Sequence, residues 1–121
     1  MTFMLTRSLV AAALFATGSL VPLAANAAWD TAGYYQMRCA GCHGTEGQGT
    51  KAVLPALGPA LKGNPFVTNG SPAALRNVIR KGRSGSKRLY NDAYANMPSF
   101  GVEAVPDVDG LVAYIKGDLQ K

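Results

Sequence analysis

The sequence predicts an all-α domain of three to four helices joined by long loops, and three observations lead there. Apolar residues recur at helical spacing in two stretches, at Leu75, Val78 and Ile79 and again at Val108, Leu111, Val112, Ile115 and Leu119. Residues 44–70 are rich in Gly and carry Pro55, Pro59 and Pro65, so regular structure should be sparse there and the segment reads as a wrapping loop. No alternating pattern of useful strand length occurs anywhere. With 121 residues, 48% of them hydrophobic and 16% charged, the chain holds one small domain, which excludes a multidomain enzyme.

The first segment reads as a targeting signal. Residues 8–29 carry no charge; Arg7 precedes the apolar run Leu9–Ala16, and the small-residue tripeptide Ala25-Asn26-Ala27 follows. That order matches a secretory signal cleaved after Ala27, leaving a domain of residues 28–121 in an oxidising, periplasmic setting. The competing reading is an uncleaved anchor, since the run is long enough to span a bilayer. Pro22 and the Ala/Gly/Ser-rich end make it a poor spanning helix. Cleavage lowers the formal charge from +5 to +4 as Arg7 leaves.

Asp30 or Thr31 can cap a first helix that runs into Cys39. The chain has two Cys and one His, and all three lie in the pentad Cys39-Ala40-Gly41-Cys42-His43. This is the attachment signature of c-type haem. On one helical turn, thiols at i and i+3 share a face and can each form a thioether with one of the two haem vinyl groups. His43 is then carried to the iron as the proximal ligand. A redox disulfide of the thioredoxin type needs a βαβ setting, and a tetrahedral zinc site needs four protein ligands; neither requirement is met. The remaining alternative is chance occurrence of the pattern.

Ser71-Pro72 reads as N-cap and first residue of a second helix, closed by Gly82, and a last helix starts near Pro106-Asp107. The apolar stripes of both read as core rather than as a cofactor-binding box. Beyond the signal segment only Met37 and Met97 remain as methionines, and no second His exists, so bis-His coordination within the chain is impossible. Met37 lies two residues before Cys39, on the proximal side. Met97 precedes Pro98 in a stretch with Asn96 and Ser99 that favours an extended loop over helix. An ordinary core methionine is the alternative there.

From Asp30 to the C-terminus the chain resembles class I monohaem bacterial cytochromes c, His/Met ligated. The resemblance is carried in order by Cys39-Ala-Gly-Cys-His-Gly44, Gly58-Pro59-Ala60-Leu61-Lys62-Gly63, Val78-Ile79-Arg80-Lys81-Gly82-Arg83 and Met97-Pro98-Ser99-Phe100-Gly101. It implies the class I cytochrome c fold around one covalent haem c, with Met97 as second axial ligand. It further implies that the Pro59 carbonyl accepts the other ring N–H of His43, that Leu61 packs on the ring, and that Tyr35 packs across the C-terminal helix. Where the family often has Gly eight residues before the first Cys, this chain has Thr31, with Gly33 nearby. The stretch Ser86–Asn96 is longer than in compact members of the family.

Arg80, Lys81, Arg83, Lys87 and Arg88 put five positive charges into nine residues. No aromatic is interleaved, so the single-strand-binding pattern is missing, and nucleic acid is not an expected partner. The cluster is either a solvated loop or a docking rim for a redox protein. Arg83, Arg76, Tyr90 and Tyr94 are the candidate donors to haem propionates. A His/Met iron favours the ferrous state and has no open position, which suits electron transfer. The function expected is that of a periplasmic carrier. It takes one electron from a dehydrogenase and passes it to an oxidase or another cytochrome, with no stable membrane insertion after cleavage. The rivals are a haem enzyme or gas sensor with an open distal site, and a permanent cytochrome subunit of a dehydrogenase.

Overall fold

A computed structural model describes residues 28–51, 56–90 and 95–121; the expected signal segment, residues 1–27, and Tyr94 lie outside the described residues. The first helix, α1 (Thr31–Arg38), begins where the Asp30 carboxylate accepts the Gly33 N–H at 2.9 Å. After a hitch at Cys39 the chain resumes as α2 (Ala40–His43), tied on by the His43 N–H to the Cys39 carbonyl at 2.9 Å. Gly44 stops it with φ at 83°, a conformation open to glycine at no steric cost.

The loop that follows is less bare than the sequence reading expects, because it contains α3 (Pro65–Asn69). The Asn64 side chain accepts the Phe66 N–H at 2.9 Å and Pro65 occupies the first turn, the same signal that Ser71-Pro72 gives. At the far end of α3 the Lys116 ammonium donates to the carbonyls of Val67 (2.7 Å) and Gly70 (2.6 Å), satisfying acceptors that a five-residue helix cannot pair internally.

The second long helix, α4 (Pro72–Lys81), is capped by Ser71, whose hydroxyl accepts the Ala74 N–H at 3.1 Å, and is ended by Gly82, as expected. The last, α5 (Val108–Lys116), is capped by Asp107. It is shorter than its apolar stripe: the backbone leaves helical geometry at Gly117 and tightens into a 3₁₀ turn, Asp118–Gln120, yet Leu119 stays buried. Three helices of eight to ten residues and two shorter ones thus make up the all-α fold among the described residues. Among the described residues the single extended pairing is an isolated antiparallel bridge between Arg83 and Met97.

α5 is the hub, packed by α1, α3 and α4. Tyr35 fills the contact with α1: it is fully buried, its ring lies 5.6 Å from that of Tyr114, and its hydroxyl donates to the Gly44 carbonyl at 2.8 Å. The expected packing of Tyr35 across the C-terminal helix is therefore observed, with Thr31 half-buried beside it. Burial of this kind is worth roughly 1.5–3 kcal/mol per large side chain. The Arg76–Asp109 pair that also joins α4 to α5 is solvent-exposed and contributes at most about 1 kcal/mol.

Candidate functional site

The core is incomplete on one side, where the walls enclose a cavity with an empty volume of about 980 Å³ out to its mouth. Cys39 and His43 line it from the α1–α2 junction, Pro59 and Leu61 from the loop, and Met97 and Phe100 from the segment beyond the bridge. Most of the remaining wall is apolar: Phe66 and Val67 of α3, Leu75, Val78 and Ile79 of α4, Leu111 and Ile115 of α5. The expectation that the two stripes are core and not cofactor wall is corrected here, because the same stripes are both. A stripe three or four residues wide can face a helix on one flank and a ligand on the other, and periodicity does not separate the two.

His43 is oriented by the Pro59 carbonyl, 2.8 Å from its Nδ1. A carbonyl can only accept, so Nδ1 carries the proton and the neutral ring keeps its lone pair at Nε2. Burial lowers the His43 pKa and outweighs the opposing effect of its hydrogen bond to the Pro59 carbonyl, so the neutral, metal-binding form is favoured. The Cys39 thiol is pushed up to about 11 by burial first and then by neighbouring Cys42. Cys42, also half-buried, is the one expected site residue outside the cavity lining; it stands against Gly58, where a Cβ would lie 3.2 Å from its own.

Met97 is held on two sides. It exchanges both backbone hydrogen bonds with Arg83 at 2.9 Å, and the Phe100 N–H donates to the Ile79 carbonyl at 2.9 Å. Gly82, with φ at 66°, lets the end of α4 come close: a Cβ there would run into the Met97 carbonyl oxygen and stand 2.7 Å from the Pro98 carbonyl carbon. The thioether therefore sits in the cavity wall on a clamped, extended segment. Met37, by contrast, is 79% exposed.

The basic cluster divides into two kinds of residue. Arg80 donates to the Gly101 carbonyl at 2.8 Å, Arg83 lies 4.5 Å over the Phe66 ring, and Arg88 reaches the Tyr90 carbonyl at 3.4 Å. These three are half-buried, whereas Lys81 and Lys87 are exposed. Of the candidate propionate donors, Arg83 and Tyr90 line the cavity and Arg76 does not, being paired with Asp109. Arg88 and Asn64 also line it, and Asn64 accepts the Tyr90 hydroxyl at 2.9 Å across 26 residues of sequence. Among residues the sequence left unmarked, Phe66 and Val67 follow the Asn64-Pro65 cap, while Val105, fully buried, follows no periodic pattern.

A covalently attached, largely apolar group with two carboxylates and a metal fits this donor set: paired thiols, a neutral imidazole, a thioether, apolar walls and two guanidinium groups. Residues 26–115 match the family model described as cytochrome c oxidase, cbb3-type, subunit III. No curated protein sequence matches the chain. Among solved structures it is similar to the c-type cytochrome XoxG from Methylobacterium extorquens AM1, with a TM-score of 0.53 and 21% identity. The match covers 74% of this chain and 48% of that one. The chain thus spans about half the length of that protein, and the likeness establishes the fold alone.

Proposed function

We propose a specific electron carrier, starting from the fact that the chain belongs to the cytochrome c family of cbb3-type cytochrome c oxidase subunit III. As a class I c-type cytochrome it is a haem-based electron-transfer protein with redox protein partners. Beyond that, the proposed role is a periplasmic shuttle between a dehydrogenase and an oxidase or second cytochrome, matured by removal of residues 1–27. Bound haem c supplies a reversible one-electron couple at iron. Cys39 and Cys42 would hold it through thioethers, and His43 and Met97 would ligate its iron. Pro59 fixes the His43 tautomer, Leu61 and the α4 and α5 stripes exclude water, and Arg83 and Arg88 would donate to the propionates.

The observation that supports this most strongly is the pairing of an oriented His43 with a clamped Met97 in the wall of one apolar cavity. With both side chains ligating, the iron would have no position left for substrate. Carbon monoxide added to the reduced protein is therefore expected to bind poorly, measured by the Soret band; ready binding at stoichiometric gas would favour an enzyme or gas sensor.

Transient electron-transfer interfaces are small and steered by complementary charge. The exposed lysines of the cluster are the ones available for this, since the arginines are engaged within the fold. Charge reversal at Lys81 and Lys87 (Lys81→Glu, Lys87→Glu) is expected to lower the association rate with an acidic redox partner severalfold at low salt and much less at high salt. Stopped-flow rates unchanged at both ionic strengths would reject the docking role.

A further inference from the structure

We infer that Thr50 is a positioning residue for the proximal ligand, fixing the Pro59 carbonyl on His43 through Gly58; this rests on the reading of His43 as an iron ligand. The Thr50 hydroxyl accepts the N–H groups of Leu57 (2.8 Å) and Gly58 (3.1 Å) and donates to the Cys42 carbonyl (3.1 Å), with the Gly58 carbonyl farther off at 3.4 Å. A hydroxyl has one proton to give and two lone pairs, so its capacity is fully used. The backbone reinforces the same junction. Thr50 N–H donates to the Gly58 carbonyl at 3.2 Å, and Gly49 N–H to the His43 carbonyl at 2.7 Å.

One side chain thus joins the carbonyl end of α2, which carries Cys42 and His43, to the two residues ahead of Pro59. Gly58 already stands so close to α2 that an added Cβ would lie 2.6 Å from the Cys42 carbonyl oxygen, which leaves room for no larger residue. Thr50 keeps it from moving away. The next carbonyl along the chain is that of Pro59, 2.8 Å from His43 Nδ1. The strength of that bond sets how much electron density the imidazole passes to a metal, since outer partners of a ligating His tune its basicity. Thr50 does not line the cavity, and its hydroxyl bonds only to backbone, so it acts through the loop it closes.

The test compares Thr50→Val and Thr50→Ser in the holoprotein. Valine keeps the shape and removes the hydroxyl, leaving two amides and one carbonyl without their partner. Slackening of the Pro59–His43 bond then weakens the imidazole as a donor and disfavours the ferric state. The expected result is a three- to tenfold shift of the redox equilibrium toward ferrous, about 28–59 mV upward for one electron. At least tenfold faster exchange of the His43 Nδ1 proton should accompany it, and Thr50→Ser should restore both. A haem-loaded Thr50→Val with wild-type potential and exchange overturns the inference, as does a serine variant shifted as far as the valine.

Should valine prevent maturation, hydrogen exchange in the unmodified protein decides. The Nδ1 proton and the Leu57 and Gly58 amides are expected to open as one unit under mild denaturant, and independent opening overturns the role. A wild-type spectrum lacking the signature of His/Met ligation would instead remove the premise about His43, and the Thr50 role with it.

Discussion

Replacing both Cys39 and Cys42 by Ser is expected to give a chain that neither retains haem on a denaturing gel nor folds stably at room temperature. The cavity explains why. Its walls include Leu61, Phe66, Ile79, Leu111 and Ile115, which with the group in place form the larger part of the apolar interior. An unfilled cavity costs about 24 cal/mol per Å³. The part of the cavity closed off from solvent, about 120 Å³, would by itself cost about 3 kcal/mol if left empty, a large share of the stability of a small domain. Small domains commonly depend on a staple, and here the staple is also the core. Far-UV circular dichroism with haem staining is the check; a folded, haem-free double variant with a sharp thermal transition would show that the polypeptide needs no such filler. Cys42→Ser alone should be milder, since Cys39 keeps one attachment and is the cysteine that lines the cavity.

Met97→Ala is expected to change the chemistry more than the fold. Met97 is half-buried and its backbone is held by Arg83 whatever side chain it carries, so the segment should stay in place. The iron loses its thioether, the ligand that favours the ferrous state. Axial ligation spans about 0.8 V of haem potentials, so a fall on the order of 0.1 V or more is expected, together with carbon monoxide binding that the wild type resists. Met37→Ala, at a 79% exposed position, should leave both unchanged. A spectropotentiometric titration of the two variants separates the methionines directly, and an effect of Met37 equal to that of Met97 would contradict the assignment.

Local chemistry was the part of this molecule most legible in the sequence. Asp30, Ser71 and Asp107 cap helices where short polar side chains precede a periodic run, because capping is decided within four residues. Asn64-Pro65 carries the same signal and was hidden by the surrounding glycines, so α3 and the cavity residues Phe66 and Val67 read as loop. The stripe of α5 overran its helix because Leu119 keeps the hydrophobic phase while Gly117 breaks the backbone. What the sequence could not show is what lies across from each apolar position. Val78 and Ile79 share one stripe, yet Ile79 is buried and Val78 is left half-covered in the cavity wall. Likewise, five basic residues in a row of nine look equivalent until Arg80, Arg83 and Arg88 are seen engaged with backbone carbonyls and an aromatic face. The pairing of Arg83 with Met97 spans the enlarged stretch Ser86–Asn96, a closure that depends on distant residues meeting. Thr50 is the extreme case, an unremarkable residue in a glycine-rich loop whose hydroxyl joins three segments.

The most direct measurement on the central claim, His43 and Met97 as the two ligands of one haem iron, is the absorption spectrum of the oxidised wild-type protein in the far red. Methionine sulfur bound to ferric iron gives a weak charge-transfer band there. Its presence in the wild type and loss in Met97→Ala is the expected result; a wild-type spectrum without the band, or a band that survives in Met97→Ala, would contradict it.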